Sequence, residues 1–549
     1  MDIRFALCIC FLIGSVGHCQ QEKTDFLRQM QFESAESDKA TWGHWGDRPA
    51  KFSSWTYHSN RLVPVYTFGI SLQRYAGENS SYRDEKRLTE IYGRLPEKTV
   101  DPAATYMDQT EIYKLQKDAI EAGKKNIILI VFDGMEWQTT QAAAIYKNNK
   151  IEYESGYGKG LAFLDYDKCE TDRADFVCSP HNSGTKFDVD SQTISNVGGD
   201  KKGGYAPTFG GYHCWSKPSS DSYLLGKQKD LSHVVTDSAA SATSMNSGVK
   251  TFNSAINVDH KGKQVTPIAR DLQTQGFKIG VVTSVPISHA TPACAYANNV
   301  NRNDYQDLSR DLLGLPSVAH RDALPGVDVL LGCGWGENDD DDRKKQGQNF
   351  VPGNKFLTAS DFEKINVDNG GKYVVAERTA NQSGADVLLL AAKQAVAKDQ
   401  RLFGFFGHQG GHLPYQTADG KYDPTRGVRD ADRYTPDEIK ENPTLANMTN
   451  AALDVLGKNE KGFWLMIEAG DVDWANHNNN IDDSIGAVFS GEAAFEAVTE
   501  WIETNSNWEQ SAVIVTADHG HYLVLTDPKA LTGRSAETKV ESESPSTID

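Results

Sequence analysis

Asp473 and His477 stand four residues apart in WLMIEAGDVDWANH, a spacing that puts a carboxylate and an imidazole on one helical face. That donor pair suits zinc, and Glu468, five residues earlier at the end of an apolar run, suits a harder ion such as magnesium. A second oxygen and nitrogen pair, Asp518 and His519, follows the apolar stretch of IVTADHGH. Asp133 closes a third such run in NIILIVFDGM, and residues 283–291 close a fourth. Each acid alone reads equally well as a turn or a helix cap. Four strand ends carrying such residues together call for a metal site.

Ser238 adds a nucleophile to the ligands. In HVVTDSAASATSMNSG it follows Asp237 and precedes a run of small residues that reads as a helix start. A serine there has free backbone N–H groups and the positive end of the helix dipole beside it, which favours phosphate and an alkoxide.

The elements that position these residues alternate along the chain. Continuous apolar, β-branched runs at 126–132, 279–285, 327–333, 401–407, 463–470 and 512–518 read as strands buried on both faces. Amphipathic helical patterns at 109–122, 265–275 and 493–504 lie among them. The alternation predicts an α/β fold, a doubly wound, mostly parallel sheet with large insertions. In such sheets ligands bind beyond the carboxyl ends of the strands, where the candidate residues fall.

The domain reading has five parts. Residues 1–19 have the outline of a secretory signal peptide, a basic residue followed by an apolar run too short to span a bilayer. Residues 20–120 form an extension without a legible role. Residues 121–534 form the domain that carries the candidate residues, with Gly-, Ser- and Asp-rich insertions at about 148–232 and 336–445, and 535–549 is a polar tail. The 549 residues carry 56 basic against 75 acidic side chains, a formal charge of -19. That balance argues against nucleic acid as a dedicated partner, and any anionic substrate needs local positive charge to offset it. Of eight cysteines, three leave with the leader, and a bridge between Cys169 and Cys178 is the local disulfide the remaining spacing allows.

Five motifs in order, IVFDGM, VTDSAASAT, VVTSVPISHATPA, IEAGDVDWANH and VTADHGH, resemble those of the alkaline phosphatase family over roughly residues 120–526. The resemblance implies a secreted or periplasmic phosphomonoesterase that acts on small phosphate monoesters through a phosphoserine on Ser238. It implies two zinc ions and one magnesium ion: Asp133, Asp518 and His519 on one zinc, Asp473 and His477 on the other, and Asp133, Thr291 and Glu468 on magnesium. Arg302, in NNVNRNDY, matches the phosphate-binding arginine, and a planar guanidinium can hold two phosphoryl oxygens at once. His289 and Trp474 fall where family members vary and are read as tuning residues. No membrane span is expected in the mature chain, and oligomeric state is left open, a homodimer included.

The sequence departs from the family at one point. The third ligand of the Asp473 and His477 zinc normally comes from a histidine well downstream, and after His519 only His521 remains. His408 and His412, in FFGHQGGHLPYQT, are the other candidates, although a Gly-rich entrance loop is the plainer reading of that stretch. A site with two ligands would hold metal weakly, so one alternative is a metal- or phosphate-binding relative with little turnover. A related phosphodiesterase is the second.

Overall fold

The computed structural model describes residues 25–231, 233–425 and 433–533; the expected leader and the polar tail from 535 lie outside them. Ten strands form the central sheet. In chain order they are β1 (Val63–Phe68), β2 (Met107–Asp108), β3 (Asn126–Phe132), β4 (Thr171–Val177), β5 (Lys278–Pro286), β6 (Val329–Cys333), β7 (Tyr373–Glu377), β8 (Arg401–Phe406), β9 (Phe463–Ala469) and β10 (Ser511–Thr516). Their order across the sheet is β7-β8-β6-β5-β9-β3-β10-β1-β4-β2. Every pairing is parallel except the two made by β1, which runs against β10 and β4.

Side chains of the central strands enter two cores, which is why the strands read as continuous apolar runs. Trp464 and Met466 of β9 join one core with Ile279 and Val281 of β5. Leu465 and Ile467 join the other with Ile128 and Ile130 of β3. Helices cover both faces. On one side lie α1 (Glu111–Glu121), α3 (Ser238–Ser247) and α4 (Ile268–Thr274); on the other lie α2 (Trp137–Asn148), α5 (Gly384–Lys398), α6 (Leu445–Leu456) and α8 (Ile481–Asn505), the last preceded by the short α7 (Asp471–His477). This is the doubly wound, mostly parallel α/β fold.

The stretches read as an extension and as insertions also contribute to the sheet. Residues 20–120 supply β1 and β2, and Gly43–Trp45 pairs with Leu523–Leu525. The stretch 148–232 supplies β4, and 336–445 supplies the edge strand β7 and the helix α5. Their polar composition obscured this because β4 begins with the half-exposed residues Thr171, Asp172 and Arg173. The Cys169–Cys178 bridge is not formed, and the five cysteines among the described residues are free. The two flank β4, and an extended strand of seven residues holds its ends about 20 Å apart, well beyond the reach of a disulfide.

Helix α8 lies close against the chain at Gln416 and Thr417, and Gly486 makes that approach possible. A methyl group at residue 486 would lie 1.6 Å from the Gln416 carbonyl oxygen. We expect Gly486→Ala to lower stability by about 1–3 kcal/mol despite alanine's better helix propensity, read as a lower urea midpoint.

Candidate functional site

The parallel strands end at one edge and deliver their terminal residues into one pocket. Asp133 follows β3, Glu468 is the penultimate residue of β9, Asp473 and His477 are on α7 immediately after it, and Asp518 and His519 follow β10. Asp133, Glu468, Asp518 and His519 have no exposed surface. Ser238 is the first residue of α3, with Asp237 as its cap: Asp237 Oδ1 accepts from the Ala240 amide at 3.0 Å. The cavity above them has a volume of about 610 Å³ and is lined by Ser238, Arg302, Trp474, Tyr57, Tyr305 and Tyr415 among others.

One group of atoms has the geometry of a coordination shell. His519 Nε2 stands 3.4 Å from Asp133 Oδ1, 3.3 Å from Asp518 Oδ2 and 3.2 Å from Ser238 Oγ. Ligands about 2.0–2.1 Å from a tetrahedral zinc are separated by about 3.3 Å. Both oxygens of Asp133, Oδ2 of Asp518, Oε1 of Glu468 and Oγ1 of Thr291 are buried without a hydrogen-bond partner. Buried carboxylate oxygens in that condition are costly unless a cation meets them. Burial and the neighbouring Asp518 push Asp133 well above the usual carboxylate range, and burial lifts Glu468 to about 7. The donor set therefore fits metal ions.

The pair expected on a second zinc and two of the expected magnesium ligands also come together. Asp473 Oδ1 is 3.5 Å from His477 Nε2, and Asp133 and Glu468 share a cluster of ligand atoms with His289, a residue the sequence reading left as a tuning group. Glu468 Oε2 accepts from the Thr283 hydroxyl, which leaves its other oxygen free toward Thr291. Gly134 keeps the floor open, since with φ at +72° a Cβ there would meet the His521 ring at 2.8 Å. Its amide donates to Asp518 Oδ1 at 3.0 Å, holding the other oxygen toward Asp133 and His519.

Arg302 reaches the pocket from the loop before residues 305–313. One guanidinium nitrogen donates to Asp237 Oδ2 at 3.2 Å and another to His289 Nε2 at 3.2 Å. Burial and the Arg302 charge depress His289 to about 3, so its ring stays neutral and can accept that bond.

The residues that sequence reasoning missed lie in the extension. His58 Nε2 is 3.4 Å from Asp473 Oδ1 and 3.1 Å from His477 Nε2. Two residues on, Asn60 fastens this segment to the strand-like approach to Ser238: its amide donates to His233 Nε2 at 2.9 Å and its oxygen accepts from the Thr236 amide at 3.1 Å. No local pattern marks WTYHSNRLV as part of a site, because its partners are hundreds of residues away. His521 donates to Asp473 Oδ1 at 2.6 Å. His408 and His412 pair with each other, Nε2 to Nε2 at 3.0 Å, and neither belongs to a ligand cluster among the described residues. His412 stacks on Tyr415 at the rim of the pocket, the place of an entrance loop.

Burial and nearby Lys201 hold His233 at about 3, far below its unfolded value of about 6.5. As pH falls below about 6.5 the unfolded chain takes up a proton that the folded chain refuses, so stability is lost progressively down to about 3. His233→Gln keeps an acceptor for Asn60 and cannot titrate. We expect its loss of stability between pH 7 and 5, measured by urea unfolding, to be about 2 kcal/mol smaller than in the unsubstituted protein.

Comparison with known proteins shows the family of the chain. A profile of the alkaline phosphatase family matches residues 218–543, more than half of the chain. Alkaline phosphatase 4 of Bacillus subtilis is 27% identical over 397 residues, covering 71% of this chain and 66% of that protein. Alkaline phosphatase 3 of the same organism is 28% identical, with 56% and 55% covered, and the alkaline phosphatase of Escherichia fergusonii is 28% identical, with 72% and 82% covered. The match thus spans less than two thirds of each Bacillus relative. A solved cold-active alkaline phosphatase from Shewanella sp. aligns at 21% identity with a TM-score of 0.40, covering 72% of this chain and 68% of that one. By the span of the profile match, this chain belongs to the alkaline phosphatase family.

Proposed function

We propose that the protein is an exported, metal-dependent phosphomonoesterase that transfers the phosphoryl group of small phosphate monoesters to Ser238 and then to water. The observation that carries the reading is Ser238 Oγ, buried at a helix N-terminus and 3.2 Å from His519 Nε2, beside carboxylate oxygens of Asp133 and Asp518 that have no other partner.

Asp133, Asp518 and His519 would hold one zinc ion, Asp473 and His477 a second, and Asp133, Thr291 and Glu468 a magnesium ion. When bound, such ions lower the pKa of a neighbouring hydroxyl or water and neutralise phosphoryl oxygens. The chain's own groups supply positioning. Ser238 Oγ forms the new bond to phosphorus as the bond to the leaving oxygen breaks, and the amides at the start of α3 face the charge that develops there. The Arg302 guanidinium, steadied by Asp237, offers N–H donors to two equatorial oxygens. Water then cleaves the phosphoserine, returning the hydroxyl and releasing phosphate. Because these contacts converge on the phosphoryl group, the cavity of about 610 Å³ admits alcohols of varied shape. Export rests on the leader-like residues 1–19. Among the described residues no helix is long and apolar enough to cross a membrane.

Hydrolysis of p-nitrophenyl phosphate at alkaline pH tests the proposal. Turnover should require zinc and magnesium after chelation and fall to background in Ser238→Ala, while Arg302→Ala lowers kcat/KM by about 10²-fold. Turnover that survives in Ser238→Ala would exclude the phosphoserine route. A bound metal without turnover would make the chain a noncatalytic relative. Chelation should also lower Tm, and zinc should restore it, because an ion bound only by the folded chain stabilises it.

A further inference from the structure

We infer that His58, from the segment ahead of the first central strand, is the third protein ligand of the zinc site formed by Asp473 and His477. The inference rests on the metal-dependent reading above and completes the ligand set that the motifs leave one short.

Three distances carry it. His58 Nε2 to His477 Nε2 is 3.1 Å, His58 Nε2 to Asp473 Oδ1 is 3.4 Å and His477 Nε2 to Asp473 Oδ1 is 3.5 Å. The three atoms form a nearly equilateral triangle whose edges match the separation of about 3.3 Å between neighbouring ligands of a tetrahedral zinc. The triangle joins residues 419 positions apart in the chain, so no local structure imposes it.

The hydrogen bonds behind the rings give a second, independent argument. His58 Nδ1 lies 2.9 Å from the Thr236 carbonyl oxygen, and His477 Nδ1 lies 2.7 Å from that of Thr56. A carbonyl only accepts, so both Nδ1 atoms carry a hydrogen, which leaves each ring's Nε2 as the nitrogen that faces the other ring and the Asp473 carboxylate. A proton could bridge only one of the three edges; an ion about 2 Å from each corner satisfies all three. Backbone carbonyls that fix the tautomer from behind are the usual support of a ligating histidine.

His521 lacks both features. Its Nε2 is 2.6 Å from Asp473 Oδ1, a hydrogen-bond distance shorter than a coordination edge, and its Nδ1 has no partner. Its place is to orient the Asp473 carboxylate. The fourth corner of the His58 site faces the pocket, lined here by Tyr57, Trp474 and Asn478, which leaves room for a water or a substrate oxygen.

The test measures metal directly. Unsubstituted protein, His58→Ala, His58→Cys and His521→Ala are stripped with chelator, dialysed against buffered free zinc, and assayed for zinc per chain, with cobalt absorption recorded in parallel. The expected result is loss of one zinc equivalent in His58→Ala, its affinity weakened at least 100-fold, with the Ser238-side ion retained and both ions kept in His521→Ala. In His58→Cys a cobalt–thiolate charge-transfer band absent from the unsubstituted protein should appear, which marks ligation at residue 58 and keeps the test decisive should the alanine variant fail to fold. Unchanged zinc affinity in His58→Ala, no thiolate band in His58→Cys, or no zinc uptake by the unsubstituted chain would overturn the inference. Zinc loss in His58→Ala beside absent phosphatase activity of the unsubstituted protein would overturn the proposed function alone.

Discussion

The burial of uncompensated acid sets the terms for the rest of the molecule. Asp133, Glu468, Asp473 and Asp518 lie together, all buried, and Arg302, which lines the adjoining pocket, is already paired with Asp237. Ions of like charge held this close in a low-dielectric interior repel strongly and have lost their hydration. Such an arrangement is relieved by a bound cation or a held proton, and it needs a surrounding frame too stiff to let the carboxylates turn away.

The frame that holds them is the parallel sheet. Neighbouring parallel strands end together, and β3, β5, β9 and β10 are close neighbours across it, so their last residues converge without long loops. Short, buried strands with full ladders leave little freedom at their ends. The antiparallel β1 extends this logic: it lies beside β10 and is entered from the loop that carries His58, and a bridge between Ser59 and Gly520 fixes that loop against the segment after Asp518.

Asp237 shows how few groups connect Ser238 to Arg302. Its Oδ1 caps α3 through Ala240, and its Oδ2 accepts from the Ser254 amide and from Arg302. The start of the helix, the serine beside it and the guanidinium are thereby set relative to one another by a single carboxylate. Asn60 plays the corresponding part on the other side, joining the His58 loop to Thr236, two residues before Ser238.

The sequence by itself determined the fold class and the motif residues of the candidate site. Apolar runs such as NIILIVF and FWLMIEA can only be strands buried on both faces, and their spacing with helical segments leaves few arrangements other than a doubly wound sheet. Asp133, Glu468, Asp518 and His519 stand at the ends of those runs, so a local signal marked them. What the tertiary structure alone decided is the membership of residues without such a signal. The half-polar β4 and the isolated β1 become strands only because the sheet offers them a partner, and the spacing of Cys169 and Cys178 said nothing of the extended strand that separates them. His58 sits among Trp, Tyr and Asn with no periodicity around it. Its meaning comes from His477 and Asp473, and a contact across 419 residues exists only once the chain has closed on itself.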